Sequence, residues 1–133
     1  MTDRPATIPP GLRVELTRHR VRAGQSATVD DWMRMLNDRA DECRATLDPE
    51  RMAVEVIFRL QGEHGEWLYW FELAGEHETG LTAERAIDRD HIGYATRVKE
   101  PGHVAAIPEV LLFPAPVEQV IRAWAAHGRR VMP

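Results

Sequence analysis

Cysteine is nearly missing: Cys43 is the only one in 133 residues. A single thiol excludes an internal disulfide and any zinc site built from several cysteines, and it suits a reducing compartment. Long apolar runs are missing too. No window approaches the roughly 18 apolar residues that a bilayer-spanning helix needs. Met1–Pro10 holds no apolar stretch able to serve as a secretory signal. The expectation is a soluble cytoplasmic protein with no membrane partner. An excess of positive charge is absent as well. The formal net charge of −4 argues against a module that neutralises nucleic-acid phosphates. There is no GxGxxG, P-loop or GxSxG pattern, so nucleotide cofactors and serine hydrolysis have no support. His64, His77, His91 and His103 show neither HxH nor HExxH spacing. No metal and no cofactor is expected.

What is present is a chain that is 44% hydrophobic, enough to order one globule around one core. The proline-bearing residues 1–11 read as a flexible arm, and 12–133 as a single domain. Leu12 to His19 alternates apolar and polar residues, as a strand with one covered face does. A helix is expected from about Val29 to Leu47, capped by Thr28, because Val29, Trp32, Leu36, Ala40, Cys43 and Leu47 recur at helical spacing. Met52 to Ala74 then reads as a hairpin of two strands, with Gly62 and Gly65 in the turn. A second helix, capped by Thr82 and running to about Lys99, carries Ala83, Ala86, Ile87, His91, Tyr94 and Val98 in one stripe. Val104–Ile107 follows as a fourth strand, with Val110–Phe113 as its candidate continuation after Pro108. Pro114 and Pro116 introduce a last helix.

Strand, helix, strand, strand, helix, strand and a terminal helix is the split βαβ order of a ferredoxin-like α+β fold. Helices would cover one face of a four-stranded antiparallel sheet. Both hairpin strands carry bulky apolar groups on both faces, so the second face is expected to meet a second copy, closing a dimeric α+β barrel.

Trp32–Glu42, Val54–Phe58, the aromatic strand Trp67–Phe71 and Ile87–Tyr94, taken in their order and spacing, resemble the bacterial family catalogued as domain of unknown function 6176. The resemblance spans about Leu12 to Val110. It implies a ferredoxin-like, dimeric α+β-barrel type of protein and no established reaction. Proteins with that barrel include cofactor-free monooxygenases, cyclases and isomerases, an analogy of fold alone.

Two groups of residues carry candidate chemistry. Asp88 and His91 lie three apart on a helix, where a carboxylate can orient an imidazole as a general acid or base. The alternative is a core histidine whose polar atoms are satisfied. Tyr94 and Trp70 would form the wall beside it. Glu55, Arg59 and Glu72 can share one sheet face, depending on register, and would either bind a polar small molecule or staple two subunits. Asn37 and Arg39 suit capping and surface pairing. The expected function is a homodimer that binds a small, partly aromatic organic molecule. It is either a cofactor-independent acid–base enzyme of isomerase, cyclase or monooxygenase type, or a non-catalytic binding or interaction module with His91 structural.

Overall fold

The hairpin expected from sequence forms one half of the sheet. In a computed structural model, which describes residues 4–76 and 84–128, strand β2 (Met52–Gly62) pairs with β3 (Gly65–Gly75) over its whole length. Gly65 turns the chain at φ +140°, a conformation open to glycine and costly for other residues. β1 (Leu12–Arg20) lies antiparallel on the other side of β3, and β4 (Val104–Ala106) adds to β1. The strand order is β2-β3-β1-β4, so β3 is inserted between β1 and β2 as in an interleaved pair of βαβ units.

Side-chain alternation gives the sheet two different faces. The first carries Glu15, Thr17 and His19 from β1, Leu68, Trp70 and Glu72 from β3, and Glu55, Ile57 and Arg59 from β2. Helices α1 (Ser26–Asp38), α2 (Ala40–Leu47) and α3 (Ala86–Val98) belong to this side. Val29, Trp32 and Val98, none with any exposed surface, pack with Leu68 and Trp70. The second face carries Val14 and Leu16, Phe71 and Leu73, and Val54, Val56 and Phe58. Here α4 (Ala115–Gly128) supplies Ile121, Trp124 and Ala125 to a separate cluster with Ile8, Leu12 and Leu73. Residues 4–11 are drawn into that cluster. Ile8 and Pro9 are buried, and the Arg4 guanidinium bonds the carbonyls of Pro9 and Leu12.

The α+β class and the four-stranded antiparallel sheet are present, but the dimeric barrel is not. The sheet is open, with β2 and β4 as its edges. The physical reason is α4: together with residues 4–12 it occupies part of the face that a barrel would need. Three further expectations change. The helix over Val29–Leu47 is two helices, broken at Arg39 (φ −108°, ψ 34°). That residue's guanidinium pairs with Glu42 and with Asp90 of α3. Thr28 caps nothing. The first helix begins after Gln25, and the Thr28 hydroxyl donates to the Gln25 side chain at 2.8 Å. The fourth strand stops at Ala106, and Val110–Phe113 forms no strand. The expected Thr82 cap lies outside the described residues.

Candidate functional site

Register decides what faces the helices. Glu55 lies opposite Glu72, and Glu72 lies opposite Glu15, so three carboxyl side chains form a row across three strands on one face. Directly opposed like charges destabilise a sheet. The row is tolerated because a cation and a cleft stand above it.

The cleft consists of two adjoining cavities that share Glu50, Glu55 and His91. The larger, of about 430 Å³, lies between α1, α2, α3 and the β2 edge, and Leu36, Cys43, Ile57 and Asp88 contribute to its wall. The smaller, of about 240 Å³, lies over the carboxyl row and is also lined by Thr17, His19, Trp70 and Lys99.

Glu50 sits at the junction. It is only 5% exposed, and its Oε1 has no hydrogen-bond partner among the described residues. An orphaned buried carboxyl oxygen is costly unless something else satisfies it. Burial pushes the Glu50 carboxyl up, partly opposed by its bond to Thr46. Glu55 is likewise pushed up by burial against the Trp70 indole N–H, which bonds it, and the Lys99 charge. Both groups tend toward the neutral acid and are able to hold or hand over a proton.

His91 is held by a residue from another helix. The Trp32 indole N–H donates to His91 Nδ1 at 3.0 Å. Indole is a donor only, so Nδ1 must be the accepting nitrogen and the ring proton of neutral His91 resides on Nε2. Burial, with help from Lys99 and against Asp88, pushes its pKa down to about 4. At neutral pH His91 is an uncharged N–H donor. Asp88, only 2% exposed, forms an ion pair with Arg85 at 3.3 Å and acts on His91 as a nearby charge.

The remaining expected residues divide. Trp70 packs edge-on to His19, and its ring lies 6.2 Å from that of His91. Glu72 and Glu55 face Lys99 closely enough to favour its charge. Tyr94 stacks on Trp32 with its ring centroid 6.2 Å away and lines neither cavity. Arg59 is drawn out of the cleft. Its guanidinium reaches Glu66, Asp30 at 2.5 Å and the Ser26 hydroxyl at 2.8 Å, tying β2 to the start of α1 within one chain. Asn37 bonds the Met33 carbonyl. Cys43 is half-buried, and burial pushes its thiol up, away from the thiolate a nucleophile requires.

Sequence reasoning missed Glu50, Lys99, His19 and Glu15. One signal was available for Lys99. Of the 17 lysine and arginine side chains, 16 are arginine and only this one is lysine.

Among the described residues, no group of three or more His, Cys, Asp or Glu side chains is arranged to hold a metal ion. No helix there is long and apolar enough to cross a membrane. No curated protein matches the chain. The profile of DUF6176, a family of unknown function, matches residues 12–119, and the chain belongs to that family.

Proposed function

We propose that this protein binds a small, partly aromatic organic molecule in the cleft shared by α1, α2, α3 and the sheet. The observation that carries this reading is the pair of adjoining cavities that meet at Glu50, Glu55 and His91. A ligand hydroxyl, amine or amide would bond the carboxyl groups there, with Trp70 as an aromatic wall and His91 Nε2–H as a donor. The chemistry that suits these groups is cofactor-independent proton transfer. Glu50 or Glu55 would move a proton next to a carbonyl while His91 bonds the oxygen. Asp88 acts here as a charge behind His91. The Trp32–His91 hydrogen bond favours a second reading, in which His91 is a satisfied core residue and the cleft binds without catalysis.

The functional unit in this reading is a cytoplasmic homodimer. Phe58 and Leu60, 55% and 53% exposed, belong to the part of the second sheet face beyond α4 and are the surface assigned to a second copy. Sedimentation of wild type and Phe58→Asp tests this part, and identical monomer masses would refute it.

Binding is tested by calorimetry with neutral and cationic aromatic and carbonyl compounds, using wild type and Glu50→Gln. A saturable ligand whose affinity falls about ten-fold in the variant is expected, the scale of one hydrogen bond to a charged or strongly polar group. A ligand bound equally by both proteins would place the site elsewhere.

A further inference from the structure

We propose that Lys99 is a covalent capture group, and that its amine condenses with the carbonyl of an uncharged aldehyde or ketone in the smaller cavity. This rests on the reading of the cleft as a small-molecule site and assigns its ligand class.

The first ground is placement. Lys99 closes α3, and its backbone is pinned from both sides. Its N–H bonds the Ala95 carbonyl, it bridges to Val21, and Glu100 N–H bonds the Arg20 carbonyl. The stem therefore leaves a fixed point and carries Nζ over the Trp70 ring, 4.0 Å from its centroid. There it lines the cavity with Glu50, Glu55, Glu72, His19 and His91.

The second ground is residue choice. A fixed cation above an aromatic ring and beside carboxylates is a role that arginine fills at least as well as lysine. This chain uses arginine at 16 positions and lysine only here. What lysine does and arginine cannot is shed its proton and present a nucleophilic lone pair. Burial pushes the Lys99 amine down, against the pull of Glu72 and Glu55.

The third ground is the row of carboxyl groups. The Glu15 and Glu72 carboxylates disfavour an anionic ligand, which favours neutral carbonyl compounds over keto acids. The same row stabilises the cation that condensation produces. The Lys99 lone pair attacks the carbonyl carbon, a C–N bond forms, and the carbonyl electron pair moves to oxygen, which takes up a proton. The nitrogen of this carbinolamine returns its extra proton to a carboxylate. Glu50 or Glu55, held toward the neutral acid, protonates the hydroxyl. Water departs as the C=N bond forms. Carbonyl plus ammonium gives protonated imine plus water, with no oxidant or reductant. The iminium keeps its charge between the carboxyl row and the Trp70 face and acidifies an adjacent C–H, whose proton can go to the carboxylate left when the hydroxyl was protonated.

The composition makes the test clean, because the only other amine is the N-terminal one. The full chain is incubated at pH 7 with propanal or benzaldehyde and sodium cyanoborohydride, which reduces the imine to a stable secondary amine. Mass spectrometry with peptide mapping follows modification at Lys99, with N-acetyl-lysine as the reference amine and glyoxylate as the anionic probe. One saturable adduct on Lys99 is expected, forming faster than the reference, because the cavity holds the carbonyl beside an amine whose hold on its proton is weakened by burial. Glyoxylate should lose that advantage, and Lys99→Arg should leave only the N-terminal adduct. Modification of Lys99 no faster than the reference, or equally fast in guanidinium-unfolded protein, overturns the proposal. A thermal shift with these aldehydes before reductant is added separates the two ideas: a shift without a Lys99 adduct removes the covalent step alone, and neither signal removes the cleft reading as well.

Discussion

Replacing His91 with glutamine removes a group whose ionisation the fold opposes, and the consequence depends on pH in a calculable way. His91 is pushed from an ordinary 6.5 to about 4 by burial. Above pH 6.5 it is neutral whether the chain is folded or not and has no pH-dependent effect on stability. Below 6.5 the unfolded chain takes up a proton that the folded protein refuses until about pH 4, so stability is lost across that window. A full 2.5-unit difference at 1.36 kcal/mol per unit corresponds to about 2.5 kcal/mol lost by pH 4.5. His91 is only partly enclosed, so about 1–2.5 kcal/mol is the working range. Glu50 and Glu55 act in the opposite sense. Their carboxyls are pushed up, so the folded protein binds their protons first and gains stability as pH falls through their raised values. They are present in both proteins and cancel in the difference. Glutamine keeps an acceptor for the Trp32 indole, which limits the cost at pH 7. Urea unfolding of both proteins at pH 7.5 and pH 4.5 gives the comparison. The variant should gain about 1–2.5 kcal/mol on wild type between the two pH values. A difference independent of pH would mean that His91 is not held neutral, and the assignment of its proton to Nε2 would lose its support.

Trp32→Phe removes the indole donor while keeping an aromatic ring. One hydrogen bond of about 1 kcal/mol converts to a rise of roughly one unit in the His91 pKa, read by NMR titration. An unchanged titration would show that burial alone sets it. Arg59→Ala deletes the ties to Glu66, Asp30 and Ser26 and should cost about 1–3 kcal/mol in denaturant unfolding. Because these partners lie in the same chain, the mass in dilute solution should not change, and dissociation of an oligomer would contradict the intrachain assignment.

Much of the sheet was legible because its signal is local. Alternation along Leu12–His19 and Met52–Ala74, with glycine at the turn, specifies strands whose neighbours pair as expected. The break at Arg39 was not legible, since the apolar stripe from Trp32 to Leu47 continues unbroken through it. At the break the Arg39 guanidinium pairs with Asp90 of α3, a tie that the local spacing does not reveal. The site was half legible. His91, Asp88, Trp70, Glu55 and Glu72 stand on regular elements whose faces can be counted. Glu50 lies between elements, where a carboxylate reads as turn chemistry, and Glu15, Thr17 and His19 read as a solvent face. Only the register places them under the helices. In sequence Lys99 marks only the approximate end of a helix, and which way its side chain runs depends on the fold. Arg59 stands on the expected face, but alternation does not tell how far along it a long side chain reaches, and its guanidinium goes to Glu66, Asp30 and Ser26.

The pairing of α4 with the start of the chain sets an order of events during synthesis. Leu111 N–H bonds the Thr7 hydroxyl across 104 residues, and Ile8 and Leu12 share one cluster with Ala125. At about 5–20 residues per second, roughly 5–20 seconds pass between the appearance of one partner and the other. Until α4 is made, Leu12, and Leu73 once it appears, have no helix over them. The cleft face, whose helices all precede Lys99, is complete first, and Thr7, Ile8 and Leu12 wait for the later α4 segment to be secured.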